Sequence, residues 1–351
     1  MPASTTQSSY LVPTNSKVNF KSILSAGDVV GVKNDGTPWK MVGIPDGLGA
    51  FDNGDGTMTV LMNHENGAAT GVVRDHGSIG SFVSKLVVDK TTFEVKSADD
   101  LIQKVNLYNS TTGLYEEKTT TFARFCSADL PNVSAFFDAN TGLGTMDRIF
   151  MNGEETGPEG RTFAHIVTGT EAGTSYQLPM LGRFSNENSV ANPNSGAKTV
   201  VVSTDDATPG EVYVYIGDKQ ATGSTIEKAG LTNGKLYGIQ ANFGDDTATT
   251  PTTGTFALVL QGADGNVSGL TGAQLNAGGA ALTQFGRPED SCWDPTNPNR
   301  LYLATTGTPA TSTGIPTRIF AIDFIDVEHP ELGGKISIVL EGAVADRKSV
   351  V

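Results

Sequence analysis

Residues 198–218 read KTVVVSTDDATPGEVYVYIGD. Lys198–Thr204 is a short run built around three valines, and Glu211–Gly217 a second run of β-branched and aromatic residues. Between them lies Asp-Asp-Ala-Thr-Pro-Gly, good turn chemistry. Two short β-formers around a turn predict an antiparallel hairpin. The unbroken Val200–Val202 run fits a strand buried on both faces. Such a strand would deliver Asp205 or Asp206 at its end, although the same pair also serves a plain turn.

The same grammar recurs along the chain. It appears in GTMTVLMNHE (56–65), SFVSKLVVD (81–89), GKLYGIQANF (234–243), TFALVLQG (255–262), NRLYLATTG (299–307), TRIFAIDFIDV (317–327) and KISIVLEG (335–342). DNGDG, TNG, GADGN, PTNPN and ELGG bound these runs, and Asp-Gly and Asn-Gly tolerate the positive φ that hairpin turns need. Repeated hairpins over 351 residues predict an all-β sandwich or propeller. EVYVYIG, GKLYGIQ, NRLYLAT and TRIFAID read as equivalent inner or middle strands of successive blades. One helix is expected at SADDLIQKVN (97–106), capped by Ser97 with Leu101 and Val105 on one side. Residues 106–125 and the Thr-rich 245–255 read as long excursions.

Thirty-eight acidic residues face 24 basic ones, for a formal net charge of −14. A nucleic-acid binder needs a basic face, so that class is excluded. Excess carboxylate suits either solubility or the gathering of hard cations. Two cysteines, Cys126 and Cys292, exclude a disulfide framework but allow one long-range bridge. No apolar run reaches membrane-spanning length. The four dispersed histidines do not suggest a three-histidine zinc site.

Four polar segments are candidates for chemistry. Asn63-His64-Glu65 ends a strand and is either a cluster of donors and acceptors or a solvated end. Cys126 lies in FCSAD, ahead of Arg148–Glu155. Its thiol is a soft ligand for iron or zinc, or else a buried small apolar group. Glu154 and Glu155 follow the strand RIFM and a Gly turn. Neighbours on a strand point oppositely, so only one of them can face a given site. GRFSNE brings Glu187, whose oxygens suit Ca2+. In FGRPED, Pro288 is expected to hold Arg287 extended, ready to grip a phosphate while Glu289 binds metal; a surface turn with a salt bridge is the alternative. Asp52–Gly56 lacks the twelfth-position acid of a calcium loop and reads as a hairpin tip.

The order of these segments carries more than any one of them. NHE, then a cysteine, then an apolar strand ending Glu-Glu, then GRFxxE, then a strand ending Asp-Asp, then GRPED resembles the PhoX family of alkaline phosphatases. The PDG-to-NHE stretch, Pro45 to Glu65, adds to it, and the matching stretches span residues 40 to about 340. The resemblance implies a β-propeller of about six blades with irregular insertions, the last blade left incomplete. It implies a site near the axis holding Fe3+, one ion bound by a thiolate, and several Ca2+ ions. Carried over, Cys126 would ligate iron. Glu155 (or Glu154), Glu187 and Glu289 would bind iron or Ca2+, with Glu65 and Asp206 in the calcium shell. Arg287 would hold the phosphate and Asn63 would assist. The implied activity is hydrolysis of phosphate monoesters by a monomer in the periplasm or outside the cell. A family aspartate near the C-terminus has no counterpart after Glu341, so the chain as it stands is expected to bind metal incompletely and to be inactive; the family's twin-arginine export signal is absent as well. A non-catalytic secreted propeller, and a Ca2+-only propeller hydrolase such as a phytase or lactonase, are the competing readings. Residues 1–345 are expected to form one domain. The last six residues, DRKSVV, are what a common sequencing-library adapter encodes in this frame, and 346–351 are expected to be a non-native tail.

Overall fold

The computed structural model describes residues 4–33, 36–278, 282–308 and 314–342; the expected tail lies outside them. Its architecture is all-β and propeller-like. Four antiparallel four-stranded blades follow in chain order. The first comprises Pro45–Asp52, Thr57–His64, Phe82–Asp89 and Val95–Asp100. The second comprises Phe125–Asp129, Ile149–Glu154, Thr162–Ile166 and Thr174–Gln177. The third is Asn186–Ala191, Lys198–Asp205, Val212–Asp218 and Lys235–Ala241, and the fourth Pro288–Trp293, Arg300–Thr305, Arg318–Phe324 and Gly334–Glu341.

The opening stretch explains the third blade. Val201, Tyr213 and Tyr215 enter the core shared with the second blade, while Val200, Val202, Val212 and Val214 enter the core shared with the fourth. Both faces of the sheet are covered, so the run is apolar without alternation. The register Val202↔Val214 and Thr204↔Val212 makes the expected hairpin.

In each blade the first strand is innermost, and neighbouring inner strands pack against one another from first to fourth. A further strand, Thr253–Leu260, pairs with Lys235–Ala241 on one side and Gly334–Glu341 on the other. It joins the outer edges of the third and fourth blades into one nine-stranded sheet. Lys104–Asn109 pairs in parallel with Thr174–Gln177 and extends the second blade outward, followed by Leu114–Glu117.

Several expectations are corrected. Residues 97–106 form no helix. Ser97–Asp100 complete the outer strand of the first blade, and Lys104 starts the next strand. Leu101, Ile102 and Val105 are all buried in one core, and Asp100 is held by Arg74 and Lys33. Tertiary burial overrides the helical spacing. The 106–125 excursion contains a hairpin, and the 245–255 loop ends where a strand starts at Thr253. EVYVYIG with GKLYGIQ, and NRLYLAT with TRIFAID, are neighbours inside one blade, not equivalents in successive blades. Cys126 and Cys292 are both free thiols. Among the described residues no helix is long and apolar enough to cross a membrane.

Candidate metal centre

The four inner strands begin in the same way. Asp46, Cys126, Glu187 and Glu289 are each the second residue of their strand. At each of these points the pairing register slips: between Pro45 and Leu48, opposite Asn152 to Glu154, between Asn186 and Asn188, and between Pro288 and Ser291. A bulge bends its strand and re-aims the side chains it carries. Here it turns one side chain per blade toward a common space.

A second set comes from the adjoining strands. Glu65, Glu155, Asp206 and Thr306 each stand one residue past the end of their blade's second strand. Their backbone N–H groups donate to the carbonyls of Ile44, Arg124, Ser185 and Arg287, at 3.0, 3.0, 2.9 and 3.1 Å. Each acceptor lies two residues before the inner-strand residue of its blade. Three of them take a left-handed backbone, with φ of 53° at Ile44, 49° at Arg124 and 57° at Arg287. This corrects the extended conformation expected for Arg287. A non-glycine residue in that region costs about 1–3 kcal/mol and persists where the surroundings enforce it. The construction therefore repeats blade by blade.

The side chains meet in three overlapping trios: Asp46 with Glu65 and Cys126, Cys126 with Glu155 and Glu187, and Glu187 with Asp206 and Glu289. Within each trio the ligand-type atoms lie within 4.8 Å of one another. Two guanidiniums stand among them. Arg124 reaches Glu65 at 2.8 Å and also pairs with Glu155. Arg287 grips Asp206 with two nitrogens, Nε at 2.9 Å, and reaches Glu289 at 3.0 Å. Thr306 donates its hydroxyl to Glu289.

Burial and mutual repulsion push Asp46, Glu155, Glu187 and Glu289 toward protonation. Glu187 is raised to about 8, chiefly by burial and then by Glu155, Glu289 and Asp290, while a hydrogen bond from Cys126 opposes the rise. Burial likewise raises Asp46, Glu155 and Glu289. The Cys126 thiol is held far above its usual value by burial and by the Glu187 charge. Opposite charge within a few ångströms would reverse all of these shifts. Six carboxyl groups and one thiol suit hard cations with one softer partner, so the donor set fits the implied Ca2+ and Fe3+.

The remaining sequence candidates fall elsewhere. Glu154 is buried and taken by Arg161, at 2.6 Å from Nε and 2.8 Å from Nη2. Glu155 is the member of the pair that enters the cluster, and the strand runs through Gly153 without a turn. Asn63 lies beneath the cluster. Its Nδ2 donates to the carbonyls of Cys126 at 2.8 Å and Ser127 at 3.1 Å, and its Oδ1 accepts from Asn152 at 2.9 Å. With both Nδ2 hydrogens engaged and the residue fully buried, Asn63 clips the inner strand of the second blade; it has no N–H left for a phosphate. Farther along the same inner strands, Asn188 donates to the Ser127 hydroxyl at 2.8 Å and accepts from that of Ser291 at 2.8 Å, tying the second, third and fourth blades.

Sequence reasoning passed over Asp46, Arg124 and Thr306. Asp46 sits in a Pro-Asp-Gly that reads as a turn. Its glycine has a steric purpose: a Cβ on Gly47 would lie 2.4 Å from the backbone nitrogen of Ala128 on the neighbouring inner strand. The usable signal was positional, since each inner-strand residue is followed within 17 to 29 positions by its second-strand partner.

No protein-family model matches the chain, and no curated protein matches it. Among solved structures it is similar to Pseudomonas fluorescens PhoX in complex with vanadate, a transition state analogue. The TM-score is 0.62 at 12% identity, over 84% of this chain and 66% of that one. The chain thus spans about two thirds of that structure, and at this identity the likeness is one of fold.

Proposed function

We propose that the chain is the greater part of a PhoX-like phosphatase that hydrolyses phosphate monoesters with Ca2+ and Fe3+. The observation that supports this most is the meeting of one thiol and six carboxyl groups from four blades in linked trios, with Arg287 beside them. Cys126, Glu155 and Glu187 would hold iron. Glu289, Asp206, Glu65 and Asp46 would hold Ca2+ or share it. When bound, such cations neutralise phosphoryl oxygens and the departing oxygen and make a nucleophile available near neutral pH. Arg287 would orient the phosphate by two-pronged donation. No serine or histidine nucleophile enters this scheme, and His64 and His165 are buried with their ring nitrogens directed into the blades. The same reading puts the enzyme, a monomer, in the periplasm or outside the cell.

Elemental analysis of the purified chain, with p-nitrophenyl phosphate turnover measured with and without Ca2+, tests the proposal. Bound iron with visible absorbance, lost in Cys126→Ser, is the expected result. A colourless protein with neither iron nor turnover under Ca2+ and Fe3+ supplementation overturns it.

A further inference from the structure

The repeated construction singles out a residue beyond Arg287. Arg124 occupies in the second blade the place that Arg287 occupies in the fourth. Each lies two residues before the inner-strand ligand candidate, Cys126 or Glu289, and each has a left-handed backbone. Each carbonyl accepts from the residue just past the second strand, Glu155 at 3.0 Å or Thr306 at 3.1 Å. Each guanidinium then spans two acids, one from the preceding blade and one from its own region: Glu65 and Glu155 for Arg124, Asp206 and Glu289 for Arg287. The two converge, because Glu155, the partner of Arg124, shares a trio with Glu187, which shares the next with Asp206 and Glu289, the partners of Arg287. Both side chains are partly exposed, 47% and 36%, so both stand at the open rim and not in a blade core.

We propose that Arg124 and Arg287 form a paired oxyanion clamp, and that Arg124 makes the centre select phosphate dianions over monoanions. The inference rests on the metal-dependent phosphatase reading. With cations on Glu65, Glu155, Asp206 and Glu289, these carboxylates lose their need for guanidinium partners. The two forks are then free to donate to a tetrahedral anion lying between them. A phosphate monoester presents three terminal oxygens and nearly two negative charges, enough for two forks together with cations. A diester has one charge and two terminal oxygens, so it gains little from the second fork.

The test uses the Ca2+- and Fe3+-loaded full chain, with inorganic phosphate as the calorimetric probe. Arg124→Gln is expected to keep its cation content and to bind phosphate at least tenfold more weakly, the scale of one charge-assisted hydrogen bond. Its preference for p-nitrophenyl phosphate over bis(p-nitrophenyl) phosphate is expected to fall by a similar factor. Arg124→Lys, which keeps the charge and the Glu155 contact but loses the fork, is expected to lie between the two. Wild-type phosphate affinity in Arg124→Gln at full cation content overturns the clamp. So does a loss of cations with unchanged affinity per loaded site, which would make Arg124 only a support for Glu155. Phosphate binding without turnover in the wild type sinks the phosphatase reading and leaves the clamp standing. A loaded wild type that binds no phosphate sinks both.

Discussion

Glu187 offers the sharpest test of the centre, because without cations it opposes folding. Its carboxyl is raised from 4.5 to about 8 by burial and by neighbouring acids. Between those values the folded chain holds a proton that the unfolded chain has released. Stability therefore falls as pH rises through the window and levels off above about 8. At 1.36 kcal/mol per tenfold, the penalty at pH 8 is at most about 4 kcal/mol, part of it shared with Glu155 and Glu289. Glu187→Gln keeps the shape and an acceptor for the Cys126 thiol but carries no charge. Asp129 and Asp205, raised to about 7 and about 8, and the lowered histidines titrate in both proteins, so the difference between them isolates Glu187. In chelator, urea unfolding from pH 5 to 8.5 is expected to show wild type losing stability relative to the variant, which is the more stable at pH 8. Adding Ca2+ and Fe3+ is expected to reverse the order, since the wild type gains more binding energy than a variant that has lost the carboxylate shared by two of the three trios. A wild-type-minus-variant difference that does not grow across the window, or a variant no firmer than wild type at pH 8 in chelator, refutes the reasoning.

Two other substitutions probe the supports. Glu154→Ala takes the carboxylate from the half-buried Arg161, which keeps its bonds to the Thr120 hydroxyl and the Thr121 carbonyl, and is expected to cost about 1–3 kcal/mol with cation stoichiometry unchanged, whereas Glu155→Ala is expected to lose cations at little cost in stability; calorimetric unfolding and elemental analysis read both. A Cβ on Gly153 would lie 2.2 Å from the Asn186 side chain. Gly153→Ala is therefore expected to cost about 1–3 kcal/mol and, by pushing the neighbour of Glu187, to weaken Ca2+ affinity in a titration.

What the sequence revealed divides along the radius of the blades. Second and third strands such as Lys198–Asp205, Val212–Asp218 and Arg318–Phe324 carry apolar side chains into one or two cores, so composition exposes them. Inner strands do not read that way. Pro45–Asp52, Asn186–Ala191 and Pro288–Trp293 are rich in polar residues and bulged, the first and last also carrying Pro, because they face the common space and one another. The Pro45–Glu65 stretch stands out only as a whole, and nothing in it singles out Asp46. The order of NHE, Cys, Glu-Glu, GRFxxE and GRPED still pointed to Cys126, Glu155, Glu187, Glu289 and Arg287, which the structure brings together, because it follows the side chains that meet in the cluster and not the strands. Asn63 was misjudged for a related reason. Adjacent residues on a strand face opposite ways, and the strand-end Asn turned inward to clip a neighbouring backbone.

The stereotyped start of each blade separates scaffold from ion taste. The bulge, the strand-end turn and the main-chain clasp between them are made by backbone atoms and recur whatever residue follows. The eight positions they present can thus be respelled one letter at a time. Under the proposed reading, sulfur at one of them would favour a softer ion and oxygen at the rest harder ones. Thr306, the lone hydroxyl among eight, marks where the ring of charge is lightest.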